Sequence, residues 1–236
     1  MSLSTTYFEN VRNLVNKIEH EENEKIEIAA KKVAESTVAG GIVHLFGSGH
    51  SVLAALEVYM RAGAFSNSKP VMRELDIDRF ERLPGVGTAI MRSFDGRPGE
   101  VLFIFSNSGK NPLPIEVAKK AKEKGVFTIA ITSFEHAKKA REQGEILADI
   151  VDLAIDSHVP YGDASVSIPN SNIKTGPLST VANVTLLHAI YCTAVELLSL
   201  MNEQAPVRIS RNTPEGLEYN KKFVEKYGER IPDLRY

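Results

Sequence analysis

Two short stretches concentrate the groups that can do chemistry. The first is FGSGHS, residues 46–51, and the second is SNSGKN, residues 106–111. Each gathers small hydroxyl and amide side chains around glycine directly after an apolar run, IVHLF in one case and VLFIF in the other. Gly47 and Gly49 let the backbone turn sharply and approach a ligand, and Gly109 does so in the second stretch. Ser48, Ser51, Ser106 and Ser108 present hydroxyls, and Asn107 and Asn111 add amides, Asn111 where a helix cap belongs. Several short convergent donors in front of a helix suit a small anion such as phosphate. Neither stretch is a nucleotide motif. Val52 stands where GxGxxG requires its third glycine, and no GK followed by Ser or Thr occurs. Thr132 and Ser133 close a third apolar run in the same way. Three hydroxyl-rich strand ends point to a ligand with many hydroxyls, a phosphorylated sugar before a flat apolar cofactor.

Moving a proton on such a ligand takes a base over carbon and an acid near the carbonyl oxygen. Three residues are candidates. Glu57 lies in the otherwise apolar helical run SVLAALEVYMRAG, His188 lies in TVANVTLLHAIYCTAVELL, and His50 lies inside the first glycine turn. His44 sits within a strand-like run and reads as packed, while His136 and His158 fall near strand ends. The spacing of His50, Glu57 and His188 supports no metal site, and no cofactor is expected. Cys192, the single cysteine, excludes an intrachain disulfide and reads as packed in its apolar run.

The elements that must position these groups repeat as strand, loop, helix. Residues 4–38 read as one or two long helices, IVHLF as a buried strand, and residues 51–63 as a helix closed by Gly63. PVMREL suits a short strand, EVLFIF a strand, and residues 111–125 a helix with Pro112 and Pro114 in its first turn. VFTIAIT and the centre of ADIVDLAID are further strands, with SFEHAKKAREQG a short helix between them. Residues 163–179 read as a loop, residues 179–201 as a long helix, and residues 214–227 as a last one. Continuous apolar runs, rather than alternating ones, predict a parallel sheet covered on both faces, a doubly wound α/β/α domain. Ligands in such sheets bind beyond the carboxyl ends of the strands, where both glycine–serine turns fall.

A chain of 236 residues with 43% apolar and 25% charged residues is long enough for one such domain with added helices. A net charge of -2 offers no basic excess for nucleic acid. No run reaches the roughly 20 apolar residues of a membrane helix. The first residues carry no signal-peptide pattern, so a cytoplasmic location is expected.

The stretches GGIVHLFGSGHSVLAALEVYMRAG, GEVLFIFSNSGKNPLPIEVAKKAKEKGVFTIAITS and ADIVDLAID, with the GPLST loop and its helix, resemble the SIS (sugar isomerase) domain. This is a family of phosphosugar isomerases and phosphosugar-binding regulators. The resemblance covers residues 35–205, leaving residues 1–34 as a helical extension and 206–236 as a tail with a short helix. It is strongest to the subgroup of phosphoheptose isomerase and N-acetylmuramic acid 6-phosphate etherase, and to uncharacterised bacterial SIS proteins. The family implies a three-layer α/β/α sandwich with a five-stranded, mostly parallel sheet, assembled as a homodimer or homotetramer. It also implies a phosphate held by Ser106, Ser108 and Asn111, with Asn107, Gly109, Thr132, Ser133 and Ser51 around it and Gly47 to Ser51 facing the sugar. In phosphoheptose isomerase a histidine–glutamate pair and a glutamine–histidine pair bind a metal. Here those positions match Glu57 and Arg61, then Thr180 and His188, so only the last histidine survives. The resemblance therefore implies a phosphate cradle with a modified reaction centre. Its leading function is a sugar-phosphate isomerase, followed by an etherase or lyase on an N-acetylated sugar phosphate, then a non-catalytic regulator. Arg61 and Thr180 join the substrate-contacting candidates on the same alignment of positions.

Overall fold

Apolar runs without alternation become strands buried on both sides. The computed structural model describes residues 2–73, 79–142 and 144–235. β1 (Val43–Gly47) and β3 (Val101–Phe105) are buried at every position, and β4 (Phe127–Thr132) at all but its first. With β2 (Ser68–Pro70) and β5 (Leu153–Asp156) they form a parallel sheet of five strands in the order β2-β1-β3-β4-β5. Successive side chains of a strand face opposite sides. Val101, Phe103 and Phe105 therefore enter one core and Leu102 and Ile104 the other.

The first core lies under α1 (Leu3–Glu21), α2 (Asn23–Val38), α3 (Val52–Glu57) and α7 (Ser179–Leu200). The second lies under α4 (Val86–Ile90) and α5 (Pro112–Glu123), with α6 (Phe134–Arg141) beside it. A sheet between two helical layers is a three-layer α/β/α sandwich. The helices of residues 3–38 belong to its core: Leu14, Ile18, Ala29, Ala30, Val33 and Ala34 are buried against the sheet and α7.

Several local expectations change. The helix after the first turn ends at Glu57 instead of reaching Gly63, because Met60 takes φ 58 and breaks the ladder. The strand expected over PVMREL is displaced to Ser68–Pro70, and Glu74 and Leu75 lie outside the described residues. Residues 163–179 are not a plain loop. They contain an antiparallel hairpin of β6 (Ala164–Ser167) and β7 (Lys174–Pro177). Cys192 is exposed, not packed, since α7 turns Tyr191 and Ala194 inward and Cys192 away. α7 also has the length and mean hydropathy of a membrane span, 22 residues with 1.5 over its best window. Its Ala182, Leu186, Ile190, Ala194 and Leu198 are buried against the sheet domain, which accounts for that apolarity.

The amino-terminal end of the sheet is closed by ionic contacts. Glu100, 2% exposed, precedes β3 and accepts hydrogen bonds from the backbone N–H groups of Ile42 and Arg97. It also accepts from His44 Nε2 at 2.9 Å and from the Arg230 guanidinium. Burial alone would raise its pKa, but the bonds from His44, Arg230 and the two amides outweigh it and hold the carboxyl far below the usual range. His44 is pushed below its ordinary value by burial, which exceeds the pull of Glu100. It therefore stays neutral and donates from Nε2, because an ionised carboxylate can only accept. Arg230 follows α8 (Pro214–Tyr227), whose Phe223 and Tyr227 pack on Ile42 with Ile231 and Leu234. This clasp fixes the starts of β1 and β3, and through their shared register it fixes their far ends.

Candidate functional site

β1 and β3 are neighbours whose connections leave in opposite directions, to β2 on one side and β4 on the other. This is the switch point at which open α/β sheets form a crevice. A cavity of about 320 Å³ lies there. From the first turn it is lined by Ser48, Gly49, His50 and Ser51, and from the second by Ser106, Asn107, Ser108 and Asn111. Glu81, His136, Asp163 and Ser179 complete the wall.

The turns need their glycines. A Cβ on Gly47 would sit 2.4 Å from the Ser51 carbonyl oxygen, so the first turn closes only around a bare backbone. Gly49 and Gly109 take φ 54 and 59, in the left-handed region that other residues avoid. Gly47 and Gly109 thus shape the turns, while their neighbours face the cavity.

The lining groups sort by what already holds them. Asp163 accepts from the backbone N–H groups of Leu178 and Ser179 and from the Ser179 hydroxyl, and so caps α7. His136 is also engaged. Its Nε2 accepts from Gly162 N–H at 3.0 Å, so Nδ1 carries the hydrogen and donates to Ser133 Oγ. Burial pushes its pKa down despite the nearby Glu135 and Asp163, which keeps that neutral form. These groups build the wall.

Other groups are held lightly or not at all. Ser48 Oγ donates to Glu81 Oε2 at 3.0 Å, and Asn111 Nδ2 donates to Glu81 Oε1 at 2.7 Å. One half-buried carboxylate therefore bridges the two glycine–serine turns. Asn111 occupies the cap position of α5, but its amide reaches Glu81 and makes no cap bond. Pro112 and Pro114 have no N–H, and Leu113 N–H is taken by the Glu81 carbonyl, 3.2 Å away. The start of α5 therefore presents few backbone amides, and the hydroxyls of the second turn are the donors beside it. Ser106 Oγ accepts from Gly109 N–H at 3.3 Å and can still donate. Ser51, Ser108 and His50 have no side-chain hydrogen bond among the described residues.

Thr132 and Ser133 lie behind the cavity and do not line it. Their hydroxyls donate to the carbonyls of Asn107 and Val159, so they hold the end of β4 to the second turn and to the loop after β5. Glu57, Arg61 and His188 do come together, but elsewhere. Arg61 donates to Glu57 Oε1, and His188 Nε2 is 3.7 Å from the same oxygen. This patch is open to solvent, with Arg61 54% and His188 37% exposed. It lies about 9 Å along α3 from the turn and about 13 Å along α7 from Ser179, at the helical rise of about 1.5 Å per residue. Thr180 is exposed on the first turn of α7. Among the described residues no group of three or more His, Cys, Asp or Glu has the arrangement of a metal site.

A sequence reading has no handle on Glu81 or Asp163. Their partners are 30 and 33 residues away for Glu81 and 15 and 16 for Asp163, with no shared motif. Volume alone also misleads. A larger depression of about 450 Å³ opens beside α2 and α5, but its Lys32 and Lys122 are paired with Glu35 and Asp152.

Comparison with known proteins identifies the family and the fold. The SIS domain family model matches residues 6–133. A UPF0309 protein of Geobacillus kaustophilus is 37% identical over 239 residues, covering 97% of this chain and 95% of its own. One from Listeria innocua is 36% identical, covering 97% of both. Among solved structures, phosphoheptose isomerase from Neisseria gonorrhoeae superposes with a TM-score of 0.54 at 18% identity, over 82% of this chain and 97% of that one. The Vibrio vulnificus NanR protein complexed with ManNAc-6P gives 0.51 at 14% identity, over 99% of this chain and 70% of that one. At these identities the structures share the fold.

Proposed function

This chain belongs to the SIS domain family, and from that premise we propose that it binds a phosphorylated sugar in the switch-point cavity and isomerises it by acid–base proton transfer. The observation that carries this reading is the pair of glycine–serine turns facing one another across the cavity. Ser106 and Ser108 would donate to the phosphate oxygens, and Ser48, Ser51 and His50 would meet the sugar hydroxyls. Neutral hydroxyl donors at a strand end hold an anion without the cost of desolvating a lysine, and each bond to a charged acceptor is worth about 1.5–3 kcal/mol. The fold relatives include a phosphoheptose isomerase and a protein complexed with ManNAc-6P, which supports the same ligand class.

A second reading, a phosphosugar sensor without turnover, is favoured by one observation. Glu57 and His188 lie outside the cavity, and Arg61 neutralises Glu57. One experiment separates the readings. Wild-type protein is titrated with fructose 6-phosphate, arabinose 5-phosphate and N-acetylmannosamine 6-phosphate, and with their unphosphorylated counterparts, while turnover is followed in parallel. Saturable binding of phosphorylated members alone is expected, with turnover of at least one. Binding without turnover selects the sensor, and indifference to the phosphate removes both. Assembly as a dimer or tetramer belongs to the same reading and is checked by light scattering.

A further inference from the structure

We propose that Glu81 is the catalytic acid–base residue of the cavity, an inference that rests on the phosphosugar reading above. Among the described residues two carboxylates line the cavity, and they differ in what holds them. Asp163 accepts from two backbone amides and a hydroxyl, three of about four acceptor positions, and swinging towards a ligand would uncap α7. Among the described residues the Glu81 carboxylate is held by the Ser48 hydroxyl and the Asn111 amide, one from each turn. An ionised carboxylate has about four acceptor positions, so two remain for a substrate. Ser48 and Asn111 are themselves ligand-facing groups, which a bound sugar can engage while Glu81 turns to the carbon it must deprotonate.

The backbone around Glu81 is preorganised. Its carbonyl accepts from Leu113 N–H, and Glu116 of α5 accepts from the N–H groups of Gly85 and Thr88 just beyond. The loop that carries the base is therefore tied at two points to the helix that follows the phosphate turn, which gives acid–base catalysis a rigid mounting.

Charge fixes the orientation of the substrate. Among the described residues no lysine or arginine lines the cavity itself. An adjoining chamber of about 270 Å³ shares Ser108 and His136 with it and adds Lys110 and Lys139. A phosphate dianion is repelled by Glu81 and attracted towards the Ser108, Lys110 and Lys139 end. The carbonyl end of the sugar is then left beside Glu81 and His50. In the step itself, Glu81 takes the proton from the carbon next to the carbonyl. The C–H electron pair becomes the C=C bond of an enediol as the carbonyl oxygen gains a proton from His50 or water. Glu81 returns its proton to the former carbonyl carbon while the neighbouring hydroxyl gives its proton back to His50 or water. Both residues end in their starting forms, and no other reactant is needed.

The test is Glu81→Gln in the full chain. Glutamine keeps the length and both hydrogen bonds, with its amide oxygen accepting from Asn111 and its NH₂ donating to Ser48. Binding of the three sugar phosphates is measured by calorimetry, and exchange of the carbon-bound proton in deuterated water by NMR. The inference predicts affinity within about threefold of wild type and exchange lower by about 10²- to 10⁴-fold, with Glu81→Asp restoring part of it. Three results would overturn it: exchange in Glu81→Gln within tenfold of wild type; a folded Glu81→Gln that no longer binds, which makes Glu81 a ligand-holding group; or wild-type binding with no exchange. In the first two the phosphosugar reading stands, and in the third phosphosugar binding stands but the sensor reading is selected. If the wild type binds none of the three sugars, that reading falls and this one with it.

Discussion

The two ends of the sheet use similar residues to opposite ends. At the amino-terminal end Glu100 is buried, and each of its partners is fixed: two backbone amides, a neutral imidazole and the Arg230 guanidinium. At the carboxyl end Glu81 is half-buried, and its partners are a hydroxyl and a side-chain amide that can be exchanged for those of a ligand. A glutamate saturated by rigid donors is a structural joint. One held by replaceable donors at the edge of a cavity is available for chemistry. Residue type does not separate the two, and neither does being ionisable. The distinction lies in what a ligand would have to displace.

The sharpest way to break this comparison is to remove the joint. Glu100→Ala leaves His44, Arg230 and two backbone amides without their acceptor, and the account predicts a loss of about 3–5 kcal/mol in urea unfolding. A loss below 1 kcal/mol would show that the clasp is not what ties β1 to β3. Its pH behaviour is a companion test. His44 and Glu100 both have folded pKa values below their unfolded ones, so the unfolded chain binds more protons at low pH. The stability each contributes is therefore complete above its ordinary value. It declines as pH falls, through His44 below about 6.5 and through Glu100 below about 4.5. Thermal unfolding between pH 8 and pH 3 should show a falling midpoint, and Glu100→Gln should flatten the part below about 4.5.

At the other end, Ser108→Ala removes a hydroxyl with no partner of its own among the described residues. It should weaken phosphosugar affinity by about 1.5–3 kcal/mol, read by calorimetry, and change the unfolding free energy by no more than about 0.5 kcal/mol. A stability loss with unchanged affinity would make it a scaffold residue and move the phosphate elsewhere. The smallest effect belongs to the exposed patch. Arg61→Ala should change unfolding free energy by less than about 0.5 kcal/mol, as expected for an i,i+4 surface pair.

Which parts were legible from sequence follows the same physical division. β1, β3 and β4 announce themselves as uninterrupted apolar runs, and the two glycine–serine turns are visible because a local pattern encodes a local conformation. The β6–β7 hairpin is hidden because its strands are short and polar and its connection is rich in Asn, Ser and Pro, the composition of a loop. Thr132 and Ser133 look like ligand groups from their position alone. Only the fold shows that the carbonyls of Asn107 and Val159 already accept from them. Glu81 is invisible for the converse reason, since nothing near it in sequence shows that it meets Ser48 and Asn111.

The central claim is that the ligand sits between the two glycine–serine turns, and one measurement addresses it directly. Backbone amide shifts of the isotopically labelled full chain are followed on addition of N-acetylmannosamine 6-phosphate and fructose 6-phosphate. The account predicts saturable changes at Gly49 to Ser51, Glu81 and Ser106 to Asn111, with Glu100 and His44 unmoved. Changes confined to the Glu57, Arg61 and His188 patch, or to the depression beside Lys32 and Lys122, would contradict it.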